Sequence, residues 1–450
     1  MKLWDKGQRT SANVEEFTVG RDREFDMYLA SYDILGSIAH TMMLQECGLL
    51  TLAEGQQLVQ ELRTLMHELE SGEFHIPEHS EDVHSYVEEL LTLRCGDVGK
   101  KVHTARSRND QVCVDMKLYL RDYIIAVHND VMNLATELLR SAEKYKDVVL
   151  PGYTHFQIAM PSSFGLWFGA YAESLADDIE MLVAAYTIVN KNPLGSAAGY
   201  GTSFPIQRSR TTELLGFGEM NVSSVYAQMT RGKSEKATAV AIATIATTLS
   251  KLAYDVCLYS SQNFGFVRLP ADATTGSSIM PHKNNPDVFE LIRARSNRLQ
   301  ALPNEVTMVI NNLPSGYHRD MQILKEIVLP ACEELQRVLT MTRKMISLLH
   351  IQTDIVQDEK YDLMYSVDAV HEKVRSGRSF RDAYKEVGEH IVQGTFRKPE
   401  ALHHTHEGSI GNPGLEMIAH NLQKTVAKID VAAVRKAEQM LLGDSYEGRM

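Results

Sequence analysis

The chain reads as all-α: three mostly helical domains, the central one a long five-helix bundle. Three observations predict this. Apolar residues recur at helical spacing over long tracts; Leu120, Ile124, Val127, Val131, Leu134 and Leu138 stand 4, 3, 4, 3 and 4 residues apart. Such a seam suits near-parallel helix packing. No charge occurs between Lys236 and Lys251. A helix uncharged all round must be buried on all sides, so this one belongs at the centre of a bundle, and other subunits can complete its burial. Strand signals are few, and there is no internal repeat or low-complexity tract.

The first bundle helix is expected from about 111 to about 145, ending before Pro151-Gly152. At 1.5 Å per residue it is roughly 50 Å long. The second spans about 162–189, between Pro161 and Asn192-Pro193, and the third about 234–261. A fourth follows Pro286, with a kink expected near Pro303. The fifth runs over about 320–350 with Pro330 inside it. Shorter helices flank the bundle, such as 52–71 before it and 379–393 after it. The expected division is a head at 1–105, the bundle at 106–355 and a tail at 356–450.

The 450 residues carry a net charge of −12, from 46 Lys and Arg against 58 Asp and Glu. That balance argues against a broad nucleic-acid footprint, which needs a basic face. It leaves room for a local basic pocket. The five cysteines are scattered and form no CxxC pair, so neither a disulfide framework nor a zinc site is indicated. The start, Met1-Lys2-Leu3-Trp4-Asp5-Lys6, lacks an apolar signal core. No run of about eighteen uncharged apolar residues suggests a membrane span. The expected setting is a reducing cytoplasm.

Three polar clusters lie far apart in the chain. The first, His103 to Gln111, puts Arg106, Ser107, Arg108 and Asn109 at the start of the first long helix. Arginines and small polar residues at a helix N-terminus favour carboxylate binding; as structure alone, Asn109 or Asp110 is an N-cap. The second, Pro151-Gly152-Tyr153-Thr154-His155-Phe156-Gln157, follows that helix's end. His155 can serve as a general acid or base, or be a hydrogen-bonded residue of a turn. The third, Gly276 to Pro286, packs Ser277, Ser278, Lys283, Asn284 and Asn285 into a loop punctuated by Gly and Pro. Successive backbone N–H groups there can face one anion, with Lys283 adding a full charge. The alternative is an ordinary polar surface loop. Glu290, on the helix beyond, can orient a histidine from elsewhere or simply face solvent. A smaller set runs from Tyr317 to Lys325, where Gln322 and Lys325 stand three apart and share a helix face. They can hold a ligand's carboxylate or form a solvated face.

Gly276 to Asn285 resembles the signature loop of the fumarase/aspartase superfamily. Ser107-Arg108-Asn109-Asp110-Gln111, Gly152-Tyr153-Thr154-His155, and Tyr317 with Gln322 and Lys325 resemble the argininosuccinate lyase family within it. The resemblance runs from about Phe25 to beyond Lys325, in family order and spacing. It implies cleavage of argininosuccinate to arginine and fumarate, a homotetramer with a twenty-helix core, and active sites built from three subunits. It calls for no cofactor and no metal.

Matched residue by residue, the resemblance implies these roles. Ser277 falls at the catalytic serine base. Lys283 and Asn285 fall where the succinate carboxylate and the aci-carboxylate are held. Thr154 and His155 match the second region, with Glu290 the partner of His155. Ser107, Arg108 and Asn109 match the first region, of which the serine and asparagine touch substrate. Tyr317, Gln322 and Lys325 hold the arginine end, which Asp26 also faces. The chemistry explains these residue types. A carbon acid beside a carboxylate is very weak, so the doubly charged aci-carboxylate needs a cationic, N–H-rich site. Serine acts as a base only where the same field favours its alkoxide. The 272–286 loop is expected to close over substrate.

The chain departs from the family at Asp22, where many members have serine, at Ala105 for glycine, at His282 for glutamine, and at Arg231, flanked by Thr230 and Gly232 instead of acids. No proposed catalytic group is lost. Two alternatives remain at this point: another lyase of the superfamily, such as adenylosuccinate lyase, fumarase or aspartase, and a catalytically silent, crystallin-like structural protein.

Overall fold

The computed structural model describes residues 11–443. The N-terminal hexapeptide considered above for a signal core lies outside them. The first helices are α1 (Ala12–Val19), α2 (Asp22–Asp26), α3 (Ala30–Glu46), α4 (Leu52–Glu70) and α5 (Val83–Cys95). Thr51 starts α4 with a capping box: its hydroxyl accepts the Glu54 N–H at 3.3 Å, and the Glu54 carboxylate accepts the Thr51 N–H at 3.0 Å. The apolar stripe Leu58, Leu62 and Leu65 then buries against Ile34, Leu35 and Ile38 of α3.

The bundle consists of α6 (Arg108–Lys144), α7 (Phe164–Val189), α10 (Lys233–Tyr259), α11 (Asp287–Leu299) continued by α12 (Leu302–Ile310), and α13 (Ile323–Ser347). Two short helices, α8 (Arg208–Leu214) and α9 (Ser224–Met229), lie between α7 and α10. The seam Leu120 to Leu138 is fully buried. The start of α6 differs from the expectation. Neither Asn109 nor Asp110 is the N-cap; Ser107 is. Its hydroxyl accepts the Asn109 N–H at 3.3 Å, and the Asp110 carboxylate accepts the Ser107 N–H at 2.8 Å. The capping box precedes the first apolar residue, so periodicity places the start too late.

Where a plain turn is expected after α6, the chain forms an antiparallel hairpin of β1 (Val149–Thr154) and β2 (Gln157–Ser163). Pro151 and Pro161 read as breakers, yet they stand opposite each other in its register. Both strands of a two-stranded hairpin are edges, where proline's missing N–H can face outward. The fourth bundle helix breaks instead of kinking. It stops at Leu299 and restarts with Pro303 in the first turn of α12, where a missing N–H costs nothing.

The uncharged stretch 237–250 of α10 buries Thr238, Ala241, Ile242, Ile245 and Leu249 at the bundle centre. Its burial is not complete within one chain. Val240, Ala243 and Thr244 are half-buried and Thr247 is exposed, and their spacing puts them along one stripe. The stretch Ser224–Tyr259 is long and apolar enough to cross a membrane by length and composition, but Ile242, Ile245, Leu249, Leu252 and Val256 are spent on the bundle core.

After the bundle, α14 (Ser366–Arg375) and α15 (Phe380–Val392) make a small core of Ala369, Val370, Ala383 and Val387. The last helices turn back. α16 (Leu415–Val426) packs on α7 and α6, and α17 (Val431–Leu442) inserts Leu441 and Leu442 into the core of α3 to α5.

Gly165 fixes how the hairpin hands the chain back to the bundle. A Cβ there stands 2.7 Å from the Lys146 backbone Cα, so α7 can cross the end of α6 only as glycine. Gly165→Ala is expected to cost about 1–3 kcal/mol, the usual penalty of overpacking. The check is thermal melting beside the parent, with a drop of several degrees expected.

Candidate active site

A cleft of about 240 Å³ opens where α2, the start of α5, the start of α6 and the approach to α13 meet. Asp26, Arg108, Asn109, Tyr317, Gln322 and Lys325 line it, and Ser107 caps the helix from which Arg108 and Asn109 project. Side chains from 26 to 325 are thus brought together by the docking of α2 on α13. Lys325 is buried, and its ammonium donates to Asp26 Oδ1 at 2.6 Å and also pairs with Asp22. Asp26 takes the Val83 N–H on its other oxygen at 3.1 Å. Burial disfavours the Lys325 charge, but Asp26 and Asp22 outweigh it and raise its pKa. The expectation that Lys325 and Gln322 grip a ligand carboxylate directly therefore meets a competing arrangement. Lys325 is already shared by two carboxylates, and the Gln322 amide donates to the Thr18 and Val19 carbonyls at 3.0 and 3.3 Å.

The cleft also contains residues that sequence reasoning passed over: Glu81, Asp82, His84 and Arg319. Arg108 reaches Glu81 at 3.3 Å and Asp82 at 3.1 Å, and donates to Ser85 Oγ at 2.7 Å. Arg319 reaches Glu81 at 3.1 Å. Arg231, noted above only as a departure, lies in the cleft wall, bonded to Glu235 at 3.0 Å and to the Met321 carbonyl. The run Ser80-Glu81-Asp82-Val83-His84, two acids and a histidine at a helix start, was the available signal.

Behind the cleft wall His84 donates from Nδ1 to Asp33 Oδ1 at 2.8 Å, with Asp115 Oδ2 at 3.7 Å. These three groups present atoms within 4.8 Å of one another. Burial opposes the imidazolium, but the Asp33 charge and hydrogen bond, with Asp82 and Asp115, raise His84 to about 9. Burial, then the Asp33 charge, pushes Asp115 well above the ordinary carboxylate range.

The other predicted residues lie elsewhere. Thr154 and His155 are exposed at the hairpin tip. His155 and Phe156 form its two-residue turn with φ of 55° and 58°, a left-handed pair that normally selects Asn-Gly. Two ordinary side chains in that conformation store strain, a mark of functional turns. Ser277, Lys283 and Asn285 lie in the loop before α11, which is closed by pairing of Thr275–Gly276 with Asn284–Asn285. The Met280 and Ile279 N–H groups donate to Ser277 Oγ at 3.1 and 3.3 Å. Two amides turned onto one oxygen make the small anion-favouring nest expected of this loop. Lys283 and Glu290 are exposed. Among the described residues no hydrogen bond or ion pair joins Glu290 to His155.

Hairpin and loop share one end of the bundle. α6 runs from the cleft to the hairpin, α10 runs from Lys233, just after Arg231, to Tyr259, and the Tyr153 and Tyr259 rings meet Phe264 edge-on and tilted, at 5.4 and 6.2 Å. α12 returns to the cleft end, where Ile310 meets Gly232. The 37 residues of α6 separate the two groups by about 55 Å. One chain brings together Asp26, Ser107, Arg108, Asn109, Tyr317, Gln322 and Lys325, and holds Thr154, His155, Ser277, Lys283, Asn285 and Glu290 at the far end.

An all-α bundle with a serine- and lysine-bearing loop at one end and an ionic cleft at the other defines a lyase of the fumarase/aspartase type. Comparison agrees: a lyase family model matches residues 7–301. Among solved structures, EDDS lyase in complex with formate superposes with a TM-score of 0.75 at 23% identity, covering 96% of this chain and 95% of that one. The class II fumarase of Schistosoma mansoni gives 0.68 at 16% identity, over 93% and 94%. These two likenesses show the fold. The argininosuccinate lyase of Bacteroides thetaiotaomicron is 55% identical over 442 residues, covering 98% of this chain and 99% of its own length. That of Thermotoga neapolitana is 37% identical, covering 86% and 98%. The chain belongs to the argininosuccinate lyase family. The other superfamily activities and the silent, crystallin-like alternative are not favoured by these relatives.

His84 makes stability depend on pH. Its folded value of about 9 exceeds its ordinary 6.5, so its contribution is full below about 6.5 and is lost as pH rises through about 9. The parent's melting temperature is expected to fall from pH 7 to 9.5 more steeply than that of His84→Gln; parallel profiles reject the assignment.

Proposed function

We propose that this protein cleaves argininosuccinate to L-arginine and fumarate by anti β-elimination, in the biosynthesis of arginine. The observation that carries the reading is kinship over nearly the full length with argininosuccinate lyases. Ser277 removes a proton from the succinyl methylene. The electron pair forms the double bond of fumarate, the C–N bond breaks, and the guanidino nitrogen takes up a proton. The Ile279 and Met280 amides favour the Ser277 alkoxide. Lys283 and Asn285 stabilise the aci-carboxylate. His155, oriented by Glu290, serves the leaving-group side, and Thr154 contacts substrate beside it. Ser107 and Asn109 bind from the start of α6, with Arg108 between them, and Asp26, Tyr317, Gln322 and Lys325 form the pocket for the arginine end. Base, acid and charge stabilisation all come from side chains, so the reaction as read needs neither cofactor nor metal.

The active unit in this reading is a homotetramer with sites shared between subunits. Two observations support it. The site residues are divided between the two ends of a long bundle, and the uncharged stripe of Val240, Ala243, Thr244 and Thr247 on α10 is only partly covered. Partner bundles packed along that stripe cover it and bring one chain's loop to another chain's cleft. The same reading divides each chain into head (1–105), bundle (106–355) and tail (356–450). The five free cysteines fit a cytoplasmic setting.

Near-ultraviolet absorbance of fumarate tests the activity. A rise is expected with argininosuccinate and not with adenylosuccinate, aspartate or malate; a rise only with one of the others overturns the substrate. Ser277→Ala is expected to lower turnover by at least about a thousandfold, as loss of a base or nucleophile does, with melting unchanged. Mixing Ser277→Ala with His155→Ala and allowing subunit exchange is expected to restore part of the activity. Continued inactivity in demonstrated mixed tetramers argues against shared sites.

A further inference from the structure

Asp110 is fully buried in the first turn of α6 and uses both of its carboxylate oxygens. Oδ1 accepts the Ser107 N–H at 2.8 Å and completes the capping box, and capping asks for no more than that. Oδ2 reaches outside the helix and accepts the Gly195 N–H at 3.0 Å and the Ala197 N–H at 2.9 Å. These two amides belong to a turn in which Gly195 and Ala197 have φ of 85° and 50°, on either side of Ser196. Successive N–H groups in such a turn make a concavity that holds an anion. The turn is pinned from behind. Gln228 donates from Nε2 to Ser196 Oγ at 3.0 Å, and Arg208 donates to the Leu194, Asn221 and Val222 carbonyls at 3.0, 2.7 and 2.9 Å. Left-handed backbone at Ala197 is costly and persists only where its surroundings over-determine it.

Asn109, the neighbour of Asp110, lines the cleft. Among the described residues its side chain makes no hydrogen bond; its backbone N–H goes to Ser107 Oγ. Arg108, by contrast, has anchors of its own in Glu81, Asp82 and Ser85. The aim of Asn109 is therefore set by the backbone that Asp110 fixes. We propose that Asp110 is a positioning residue, which holds Asn109 toward substrate by clamping the start of α6 to the 195–197 turn. The inference rests on reading the cleft as part of an argininosuccinate site. Burial raises the Asp110 carboxyl to about 6, against the pull of the Ser107 amide, Arg106 and the Ala197 and Gly195 amides. At pH 7.5 it is ionised, and a charged acceptor grips three amides more firmly than a neutral one. Asparagine keeps the shape but turns an NH2 group toward N–H donors on one side.

Ser277→Ala enzyme holds argininosuccinate without cleaving it, so calorimetric titration reads affinity apart from turnover. In that background Asn109→Ala is expected to weaken binding about tenfold, the scale of one good contact, and Asp110→Asn at least about fivefold. Both together are expected to weaken it less than about twofold beyond Asn109→Ala alone, because the clamp acts through Asn109. A purely structural role predicts losses that multiply, and that result overturns the proposal, as does parental affinity in either single variant. Melting curves establish that each variant is folded at the titration temperature. Should Asp110→Asn fail to fold, Gln228→Leu replaces it, since it loosens the turn and leaves α6 untouched; the same dependence on Asn109 is expected, and its absence overturns the proposal. A parent without argininosuccinate turnover, whose folded Ser277→Ala variant also binds none, overturns the underlying reading instead, so the two failures are distinguishable.

Discussion

A 37-residue helix keeps its ends about 55 Å apart, and that distance governs the protein. The seam along α6 is fully buried against its neighbours, from Leu120 to Leu138. The candidate site residues stand at its two ends. At the start the Ser107 box aims Arg108 and Asn109 into the cleft. At the other end the chain leaves through a hairpin whose tip holds His155. The remaining bundle helices repeat the division. α10 and α13 begin beside the cleft, α11 begins beside the serine loop, and no single chain closes the gap.

The two ends are built on different physical principles. The cleft is made of groups on helices, and most of its charges are answered: Arg108 by Glu81 and Asp82, Arg231 by Glu235, Lys325 by Asp26 and Asp22. Buried charge must be paired to be tolerated, and removing one partner leaves the other stranded. The far end is exposed and loop-borne. Its order comes from backbone devices: the left-handed pair His155–Phe156, the short ladder that closes the Ser277 loop, and the amides turned onto Ser277 Oγ. A preorganised, charged pocket and an accessible loop suit a reaction in which one part of a substrate is gripped while another is enclosed.

Much of this was legible in the sequence. Long 3.6-residue periodicity predicted the bundle helices to within a few residues, because an amphipathic stripe has to bury its apolar face wherever it packs. Six of the thirteen residues lining the cleft were legible as site candidates: Arg108 and Asn109 by type, Gln322 and Lys325 by their spacing with Tyr317 nearby, and Asp26 only through the family resemblance. The hairpin was missed because Pro151 and Pro161 hide strand pairing that needs only half of each residue's hydrogen bonds. Glu81, Asp82, His84 and Arg319 were missed because each is ordinary on its own and gains meaning only from its neighbours in space.

The sequence by itself determined the helical class, the rod lengths and the residue types that carry the chemistry, all of which follow from local periodicity and side-chain identity. Only the tertiary structure decided which of those residues meet. Docking of α2 on α13 gathers Asp22, Asp26 and Lys325 around one charge, and the rigidity of α6 keeps them from His155 and Ser277. Charge pairing and rod length act through space, and a linear pattern does not encode distances between elements that come together only on folding.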